Sequence, residues 1–363
     1  MCVLDTCYLS TCLPVYLSTC LPVYLSTCLP VYLSTCLRVS ITMSEPLVSI
    51  GLVTWNSAAH LPGCLGALAR QDYTNFELIV VDNASSDHSL DLVNQYHPGA
   101  IVIRNADNTG FCHAHNQAIR ASKGNYYLPL NPDVEMEMGF ISGLVHSLDG
   151  RQEYGSAAGR LLLKPGEGNL YRIDSTGLFL DRRRRQYLRG HGEFDQGQYE
   201  GPGEVFGVDG AAPLYRREML EDIKIDGQYF DESFFAHKED VDLAWRARLF
   251  GWGCWYQPLA VAYHQRSFRP GQREEVAPSI RVDAIKNRYL LLIKNEPVSS
   301  WRRDWPQIIW YDLKILIYIC LFERSSLKAF GLLWHDWPRT RAWRREIARR
   351  TRVQSADILN WFK

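Results

Sequence analysis

Short apolar segments alternate with amphipathic ones from residue 47 to residue 130. Four mostly apolar runs occupy residues 47–53, 76–82, 100–103 and 126–130. Near-continuous apolar runs of this length are typical of strands that are buried on both faces. Between these runs, apolar residues recur at the spacing of a helix face. Strands that alternate with helices predict an α/β fold, with a mostly parallel sheet covered by helices on both faces.

Polar residues follow three of these runs, at the positions where a parallel sheet binds its ligands. They are Thr54 and Asn56, Asp82 and Asn83, and Asn131 and Asp133. Ligands of open α/β sheets bind outside the carboxyl ends of the strands. A hard divalent cation needs only one or two carboxylates beside a substrate's phosphates. Asp133 is suited to hold such a cation, although an Asp after a strand is also ordinary turn chemistry.

This chain lacks the phosphate-binding loop that two alternative classes of nucleotide-binding protein need. A dinucleotide-binding domain needs a G-x-G-x-x-G turn after its first strand. Residues 54–59 stand at that place and contain no glycine. A sugar nucleotidyltransferase also needs a glycine-rich, basic first loop, so the same absence argues against it. Lys plus Arg and Asp plus Glu number 40 each, so the overall charge does not favour nucleic acid as a partner.

Residues 1–42 repeat an eight-residue unit that contains a cysteine and a proline. A proline every eight residues sustains neither a helix nor a central strand, and the segment lacks the basic start of a signal peptide. We expect a translated tandem DNA repeat upstream of a true start at Met43. Without this leader four scattered cysteines remain, which predicts a reducing, cytoplasmic compartment without disulfides or a zinc cluster. They are Cys64, Cys112, Cys254 and Cys320.

A resemblance to a known family rests on several motifs that occur in order. These are VSIGLVTWN at 48–56, IVVDNASSD at 79–87, NTGFCHAHN at 108–116, LNPD at 130–133, FDESFF at 230–235, KEDVDLAWR at 238–246, and His264. They resemble the nucleotide-sugar motifs of glycosyltransferase family 2, and within it the bacterial rhamnosyltransferase-like branch. The resemblance covers about residues 46–295 and implies the GT-A fold, a Rossmann-like α/β domain.

The resemblance also implies which residues bind a nucleotide-sugar donor. The residues after the first two strands would hold the base and the ribose. The loop and helix at 108–116 would lie beside the diphosphate and the sugar. The Asp82 carboxylate can accept a hydrogen bond from the imide N–H of uracil or thymine, although a turn or cap role is the alternative. The implied donor site comprises Thr54, Asn56, Asp82, Asn83, Asn108, Gly110, Asn116, Asn131 and Asp133.

A divalent cation, Mg²⁺ or Mn²⁺, is the cofactor that the resemblance implies. The family usually has Asp-x-Asp at the metal, and here the first position is Asn131. Asp133 is the expected ligand, and His264 resembles a further ligand that the family often carries. A lone His after a strand is also commonly structural.

Glu239 and Asp240 form the expected catalytic centre. The sequence that follows them predicts a helix, so both acids lie in its first turn. The positive end of the helix dipole favours ionised carboxylates there. By resemblance Asp240 is the general base that activates an acceptor hydroxyl, and Glu239 is its neighbouring acid. The alternative is that both acids only cap the helix.

The C-terminal region is basic and rich in tryptophan. From residue 298 it contains 13 Lys or Arg against 6 Asp or Glu. Its longest uncharged apolar run, residues 315–322, is shorter than the roughly 20 residues of a membrane span. Tryptophans among arginines are typical of a helix in the lipid headgroup region, so we expect a peripheral protein on the cytoplasmic face of the inner membrane. The alternative is that these aromatics pack on the catalytic domain.

Together these features predict a GT-A domain at 43–265 and a helical extension at 266–363. The expected activity is an inverting transfer of a sugar, with rhamnose as the first choice, from a dTDP- or UDP-sugar. The expected acceptor is a growing surface glycan or a polyprenyl-pyrophosphate-linked glycan. Alternatives are a glucosyl-, galactosyl- or galactofuranosyltransferase, a sugar nucleotidyltransferase, and a silent nucleotide-sugar-binding module.

Overall fold

A single mixed sheet forms the centre of the protein in the computed structural model, which describes residues 45–164, 171–266 and 276–363. The leader at 1–42 lies outside the described residues, so the expectation about it stays a prediction. The strands are β1 (Val48–Thr54), β2 (Phe76–Asp82), β3 (Ile101–Arg104), β4 (Tyr126–Leu130), β5 (Val134–Met136), β6 (Tyr154–Leu163), β7 (Arg172–Ser175), β8 (Leu178–Leu180), β9 (Gln186–Leu188), β10 (Gly203–Glu204), β11 (Leu214–Arg216) and β12 (Gly253–His264).

The predicted parallel strands are neighbours in this sheet. Its order is β10-β12-β6-β11-β4-β1-β2-β3, with β5 and β7 paired to β12 and β6, whereas β8 and β9 pair only with each other. β1 pairs in parallel with β2 and β4, and Thr54 stands beside Asp82 in the register. The short β11 runs antiparallel between β4 and β6. The polar residues after β1, β2 and β4 therefore meet at one edge, which confirms the predicted α/β architecture.

Helices cover both faces of the sheet. They are α1 (Leu61–Ala69), α2 (Ser89–Tyr96), α3 (Gly110–Ala121), α4 (Phe140–Leu148), α5 (Arg217–Ile223), α6 (Glu239–Leu249), α7 (Pro278–Asn295), α8 (Val298–Phe322), α9 (Lys328–His335), α10 (Trp337–Arg350) and α11 (Ser355–Leu359). Apolar residues of α1, α2 and α4 form a core with one face of the sheet. Those of α3, α5, α6 and α7 pack on the other face.

Part of the C-terminal region packs into the second of these cores. Trp343 and Ile347 of α10, Ile358 of α11 and Phe362 are buried with α6 and α7. The Phe362 ring lies 5.3 Å from that of Trp245 and 3.8 Å from the Arg184 guanidinium. These side chains therefore pack on the domain that contains the sheet, which is the alternative to membrane contact given above.

Helix α8 is different, because most of its apolar side chains are exposed. It is 25 residues long, with a mean hydropathy of 1.2 over an 18-residue window that is 11% buried. The expectation that no segment here reaches the length of a span was wrong, because it counted only the uncharged run and not the whole helix. By length and composition α8 can cross a membrane, and one such helix alone is weak support for a span. Its exposed residues include Trp301, Trp305, Ile309, Trp310, Leu313, Leu316, Ile317, Tyr318, Leu321 and Phe322.

Candidate active site

Asp133 and His264 meet at the carboxyl edge of the sheet. His264 ends β12, and its Nε2 lies 3.4 Å from Asp133 Oδ1. Its other nitrogen, Nδ1, is 2.8 Å from Oδ2 of Asp174, a fully buried residue of β7. Burial opposes protonation of His264, but the hydrogen bonds to Asp133 and Asp174 outweigh it and raise the pKa of His264 to about 9. Asp174 thereby fixes the ring so that Nε2 faces Asp133.

A buried ion network supports this pair. Burial opposes ionisation of Asp174, but hydrogen bonds from His191 and His264 and the charge of Arg266 hold its pKa well below the ordinary range. Arg266 Nε donates to Asp174 Oδ1, and Arg266 Nη2 donates to Asp209 Oδ2, each at a distance of 2.5 Å. One guanidinium therefore links the residues around His264 to Asp209, which faces the acid pair of α6.

Glu239 and Asp240 begin α6, as predicted, but they ionise less readily than the helix position predicts. Burial and then the charge of Asp240 raise the pKa of Glu239, and burial and then the charge of Asp209 raise that of Asp240. Three carboxylates in a partly desolvated cleft thus outweigh the helix dipole, which contributes only about 0.3–1 kcal/mol at a surface position. A carboxylate with a raised pKa is a stronger base, so the correction favours a general base.

The two acids differ in their hydrogen bonds. Asp240 Oδ1 accepts the backbone N–H of Val241 at 2.8 Å, and its Oδ2 is 3.5 Å from Gln186 Nε2. Glu239 Oε2 is buried and has no hydrogen-bond partner within the described part of the chain. Asp240 is therefore held in place by the backbone, whereas an oxygen of Glu239 remains available to a ligand.

A strained turn delivers the two acids to the cleft. His237 and Lys238, directly before Glu239, have φ angles of 69° and 72°, in the left-handed region that side chains with a Cβ rarely adopt. Asn287, fully buried on α7, donates from Nδ2 to the carbonyls of Ala236 and His237, each at 2.8 Å. Helix α7 thus stabilises the backbone that aims Glu239 and Asp240.

One open cleft brings the metal-type pair and the acid pair together. Its cavity volume is about 530 Å³. Of the residues predicted for the site, five line it: Asn131, Asp133, Glu239, Asp240 and His264. Asp209, Gly210 and Ala211 line it as well, and the Ala211 carbonyl accepts the N–H of Asn131 at 2.9 Å. A reaction between groups at these two centres can therefore take place in one cavity.

The residues predicted to bind base and ribose form a second polar group beyond the cleft lining. Asn56 Oδ1 accepts the N–H of Ser86 at 2.8 Å, and the N–H of Ser85 lies 3.3 Å from both carboxylate oxygens of Asp82. Thr54 is buried, and its hydroxyl has no partner among the described residues. These contacts order the loop after β2 against the end of β1. Contact with a nucleotide stays a prediction.

The loop before α3 connects this polar group to the cleft. Asn83 Nδ2 donates to Asn108 Oδ1 at 3.2 Å, and Asn108 Oδ1 also accepts the N–H of Gly110 at 3.0 Å. Gly110 has φ +80°, and a Cβ there would lie 2.6 Å from the carbonyl oxygen of Phe235. Only glycine fits this close approach. The next residue, Phe111, lines the cleft.

Asn116 has a structural task in addition to any contact with a donor. It is fully buried, and its Oδ1 accepts the N–H groups of Tyr229 and Phe230 at 3.1 and 2.9 Å. Its Nδ2 donates to the Phe230 carbonyl and to Glu232 Oε1. Both polar atoms of its side chain hold the loop before α6. Its contact with the donor stays a prediction, and neither of these atoms is left over to make it.

Sequence reasoning missed several residues of the site. Asp174 and Asn287 stand 90 and 50 positions from their partners His264 and His237, so no local pattern identifies them. Arg266 follows His264 by two positions, and its proximity to a predicted ligand was the available signal.

The side chains at the edge fit a divalent cation that also takes oxygen atoms from a substrate. Asp133 offers a carboxylate, and His264 offers Nε2 with its other nitrogen fixed by a carboxylate, the usual arrangement behind a metal-bound His. Within the described ranges, no group of three or more His, Cys, Asp or Glu is placed to hold a metal. Two protein ligands suffice for a cation that is completed by substrate phosphates and water.

Comparison with known proteins identifies the domain. Residues 49–224 match the family model described as glycosyl transferase family 2. This segment, just under half of the chain, is therefore similar to glycosyltransferase family 2. The matched segment contains Asp133 and ends before the acid pair and His264.

Curated relatives of this domain match over a shorter stretch. The chain is 36% identical over 94 residues to a PGL/p-HBAD biosynthesis glycosyltransferase of Mycobacterium bovis, covering 25% of this chain and 37% of that relative. It is 35% identical over 97 residues to the colanic acid biosynthesis glycosyl transferase WcaA of Escherichia coli K12, covering 25% and 34%. The matches thus span about a third of the length of these relatives.

Solved structures share the fold at low sequence identity. S. aureus TarS 1-349 is similar with a TM-score of 0.53 and 17% identity over 82% of each chain. GalNAc-T7, solved with UDP, GalNAc and Mn²⁺, is similar with a TM-score of 0.54 and 13% identity, over 69% of this chain and 48% of that one. These likenesses confirm the GT-A fold of the domain.

Proposed function

We propose that the chain is an inverting glycosyltransferase, which moves a sugar from a dTDP- or UDP-sugar to a lipid-linked or growing surface glycan. Rhamnose is the first choice of sugar, and the cytoplasmic face of the inner membrane is the expected location. The observation that carries the proposal is one cleft with a base-type acid pair on one side and a cation-type pair on the other. The family 2 domain and relatives named for glycan biosynthesis support it.

Asp240 is the residue best placed to act as general base. Its raised pKa makes it a strong proton acceptor, and the Val241 N–H holds it in position. As Asp240 takes the proton of an acceptor hydroxyl, the acceptor oxygen forms a bond to the anomeric carbon. The bond from that carbon to the diphosphate oxygen breaks on the opposite face, so the configuration inverts and no sugar–enzyme bond is needed.

Asp133 and His264 would hold a divalent cation beside the diphosphate of the donor. Such a cation supplies charge neutralisation for the departing nucleoside diphosphate. The structural relative GalNAc-T7, solved with UDP and Mn²⁺, supports a cation of this type. Asp174 orients His264, and Arg266 keeps Asp174 ionised beside it.

The residues after β1 and β2 would bind the nucleoside. The buried Thr54 hydroxyl is a polar group without a described partner, which a ribose or base can satisfy. Asp82 is nearly buried at the same edge and keeps acceptor capacity for an imide N–H. This arrangement favours a uracil or thymine donor.

A screen of donors tests the proposal directly. Protein starting at Met43 would be incubated with Mg²⁺ or Mn²⁺, an acceptor linked to lipid pyrophosphate, and dTDP-rhamnose, UDP-glucose, UDP-galactose or UDP-GlcNAc in turn. Release of nucleoside diphosphate with one donor, lost in Asp240→Asn, is the expected result. Release of inorganic pyrophosphate from a nucleoside triphosphate and a sugar phosphate would instead identify a nucleotidyltransferase. Donor binding without turnover with any acceptor would identify a silent binding module.

A further inference from the structure

One wall of the cleft plays no part in the transfer described above. It is formed by the start of α7 and the turn before α6. Cations and apolar side chains alternate along it, namely Lys238, Val276, Ile280, Arg281 and Ala284. A wall of this composition is suited to a ligand that carries both negative charge and apolar surface.

Lys238 is a half-buried cation that forms no direct ion pair within the described part of the chain. No hydrogen bond or ion pair joins its ammonium group to any residue in the described ranges. Burial and then the charge of Arg288 lower the pKa of Lys238 to about 8, and they outweigh the charges of Asp240 and Glu239, which raise it. Lys238 still carries its charge at neutral pH. A charge removed from water without a partner is unfavourable. An anionic ligand in the cleft would relieve this cost.

Two arginines extend the positive charge around Lys238. Arg281 Nη1 lies 3.5 Å from Glu323 Oε2, but its buried Nε has no hydrogen-bond partner in the described structure. Arg185 stands next to the cleft residue Gln186, its guanidinium 4.8 Å from the ring centre of Tyr187, and it forms no ion pair with a described residue. Arginine donors in such positions match the oxygens of a phosphate.

We propose that Lys238 and Arg281, with Arg185 beside them, bind a phosphate group of the acceptor and that this acceptor carries an apolar chain. The inference rests on the proposed glycosyl transfer and identifies the acceptor side of the same cleft.

The surroundings favour the acceptor over the donor as the source of the phosphate. The charges around Lys238 are those of Arg288, Arg185 and the acid pair, whereas those around His264 are Asp133, Asp174 and Asp209. The acid pair therefore lies between the two groups, and the phosphate of the donor belongs to the His264 side. Glu323, the partner of Arg281, directly follows the exposed apolar helix α8. A lipid phosphate has both matching parts, a negative charge for the cations and an apolar chain for the apolar surface.

Binding of two probes to the full chain tests the assignment. Isothermal titration calorimetry would measure farnesyl diphosphate and, separately, UDP with Mn²⁺. Lys238→Gln should weaken the binding of farnesyl diphosphate at least about tenfold, because one charge-assisted contact is lost. The same change should alter the affinity for UDP by less than about twofold. Lys238→Arg should retain most of the farnesyl diphosphate affinity. Lys123→Gln, which removes an exposed ammonium before β4 at the opposite edge of the sheet, should change neither.

Three results would overturn the inference. Equal losses for both probes in Lys238→Gln would assign the lysine to the donor diphosphate. Unchanged farnesyl diphosphate binding in that variant would remove the phosphate site. Inorganic pyrophosphate that binds as tightly as farnesyl diphosphate would rule out a contribution from the apolar chain. A wild-type protein that fails to bind any nucleoside diphosphate would contradict the proposed function instead, and the farnesyl diphosphate measurements would still decide this site.

Discussion

Removal of the Asn287 side chain should lower activity as well as stability, because this residue holds the turn that presents Glu239 and Asp240. Its two hydrogen bonds to the carbonyls of Ala236 and His237 are both 2.8 Å long. Each contributes about 0.5–1.5 kcal/mol net. The left-handed backbone at His237 and Lys238 costs about 1–3 kcal/mol per residue and persists only where neighbouring groups enforce it. In Asn287→Ala the turn therefore loses about 1–3 kcal/mol of support.

The expected consequence is a lower population of the turn that aims Asp240. Since 1.4 kcal/mol corresponds to a factor of ten, kcat should fall about 5- to 100-fold while the KM for the donor changes little. The free energy of unfolding should fall by about 1–3 kcal/mol. Steady-state release of nucleoside diphosphate and urea unfolding of the same samples measure the two effects. Asn287→Asp keeps the size but replaces the donor with an oxygen, so it should be at least as harmful.

Asn295→Ala is the matched control for this experiment. Asn295 is a buried asparagine of the same helix, and its Nδ2 donates to Asp242 at 2.7 Å and to the Leu291 carbonyl at 3.2 Å. Asp242 keeps an ion pair with Lys294 at 2.9 Å when Asn295 is removed. The control should lose comparable stability and retain its kcat. Equal losses of kcat in the two variants would refute the reasoning, because the turn would then have no special dependence on Asn287.

Three further predictions follow from the site and from α8. Because burial and the Asp209 charge raise the pKa of Asp240, the acidic limb of kcat/KM should lie above the ordinary carboxyl range near 4, and Asp209→Asn should move it to lower pH; a limb that does not move would contradict this. Asp174→Asn should raise the Mn²⁺ concentration for half-maximal activity about 10- to 100-fold, and an unchanged requirement would separate His264 from the metal. Paired Trp310→Ser and Leu321→Ser changes on α8 should weaken cosedimentation with anionic vesicles about tenfold, whereas loss of a dimer in solution instead would assign this face to a second copy.

Local patterns in the sequence predicted the sheet and its binding edge. The strands come from runs of apolar residues, and the polar residues after β1, β2 and β4 share an edge because parallel strands end on the same side. The convergence of Asp133, Asp240 and His264 in one cleft was accessible only through the resemblance to family 2. The number of residues between them does not indicate how far apart they lie in the folded protein.

The parts of the site that escaped prediction depend on long-range packing. The ionisation of Glu239 shows this most clearly, because its position in a helix predicts a stabilised carboxylate. Burial and the neighbouring Asp240 reverse that effect, and neither can be counted before the fold is known. The same reason hides Asp174 and Asn287, whose importance arises from partners on other elements.

Helix α7 connects the turn before Glu239 with the exposed helix α8, and this connection determines how the proposed membrane contact must be tested. From α7, Asn287 holds the turn before the acids, while Arg288 Nε donates to Asp312 of α8 at 2.7 Å. A substitution that moves α8 would therefore disturb the turn through α7 and would lower activity without any role for lipid. Trp310 and Leu321 avoid this problem, because they are 59% and 64% exposed. If their replacement lowers vesicle binding but leaves transfer to a water-soluble acceptor unchanged, the effect belongs to the membrane surface and not to the turn before Glu239.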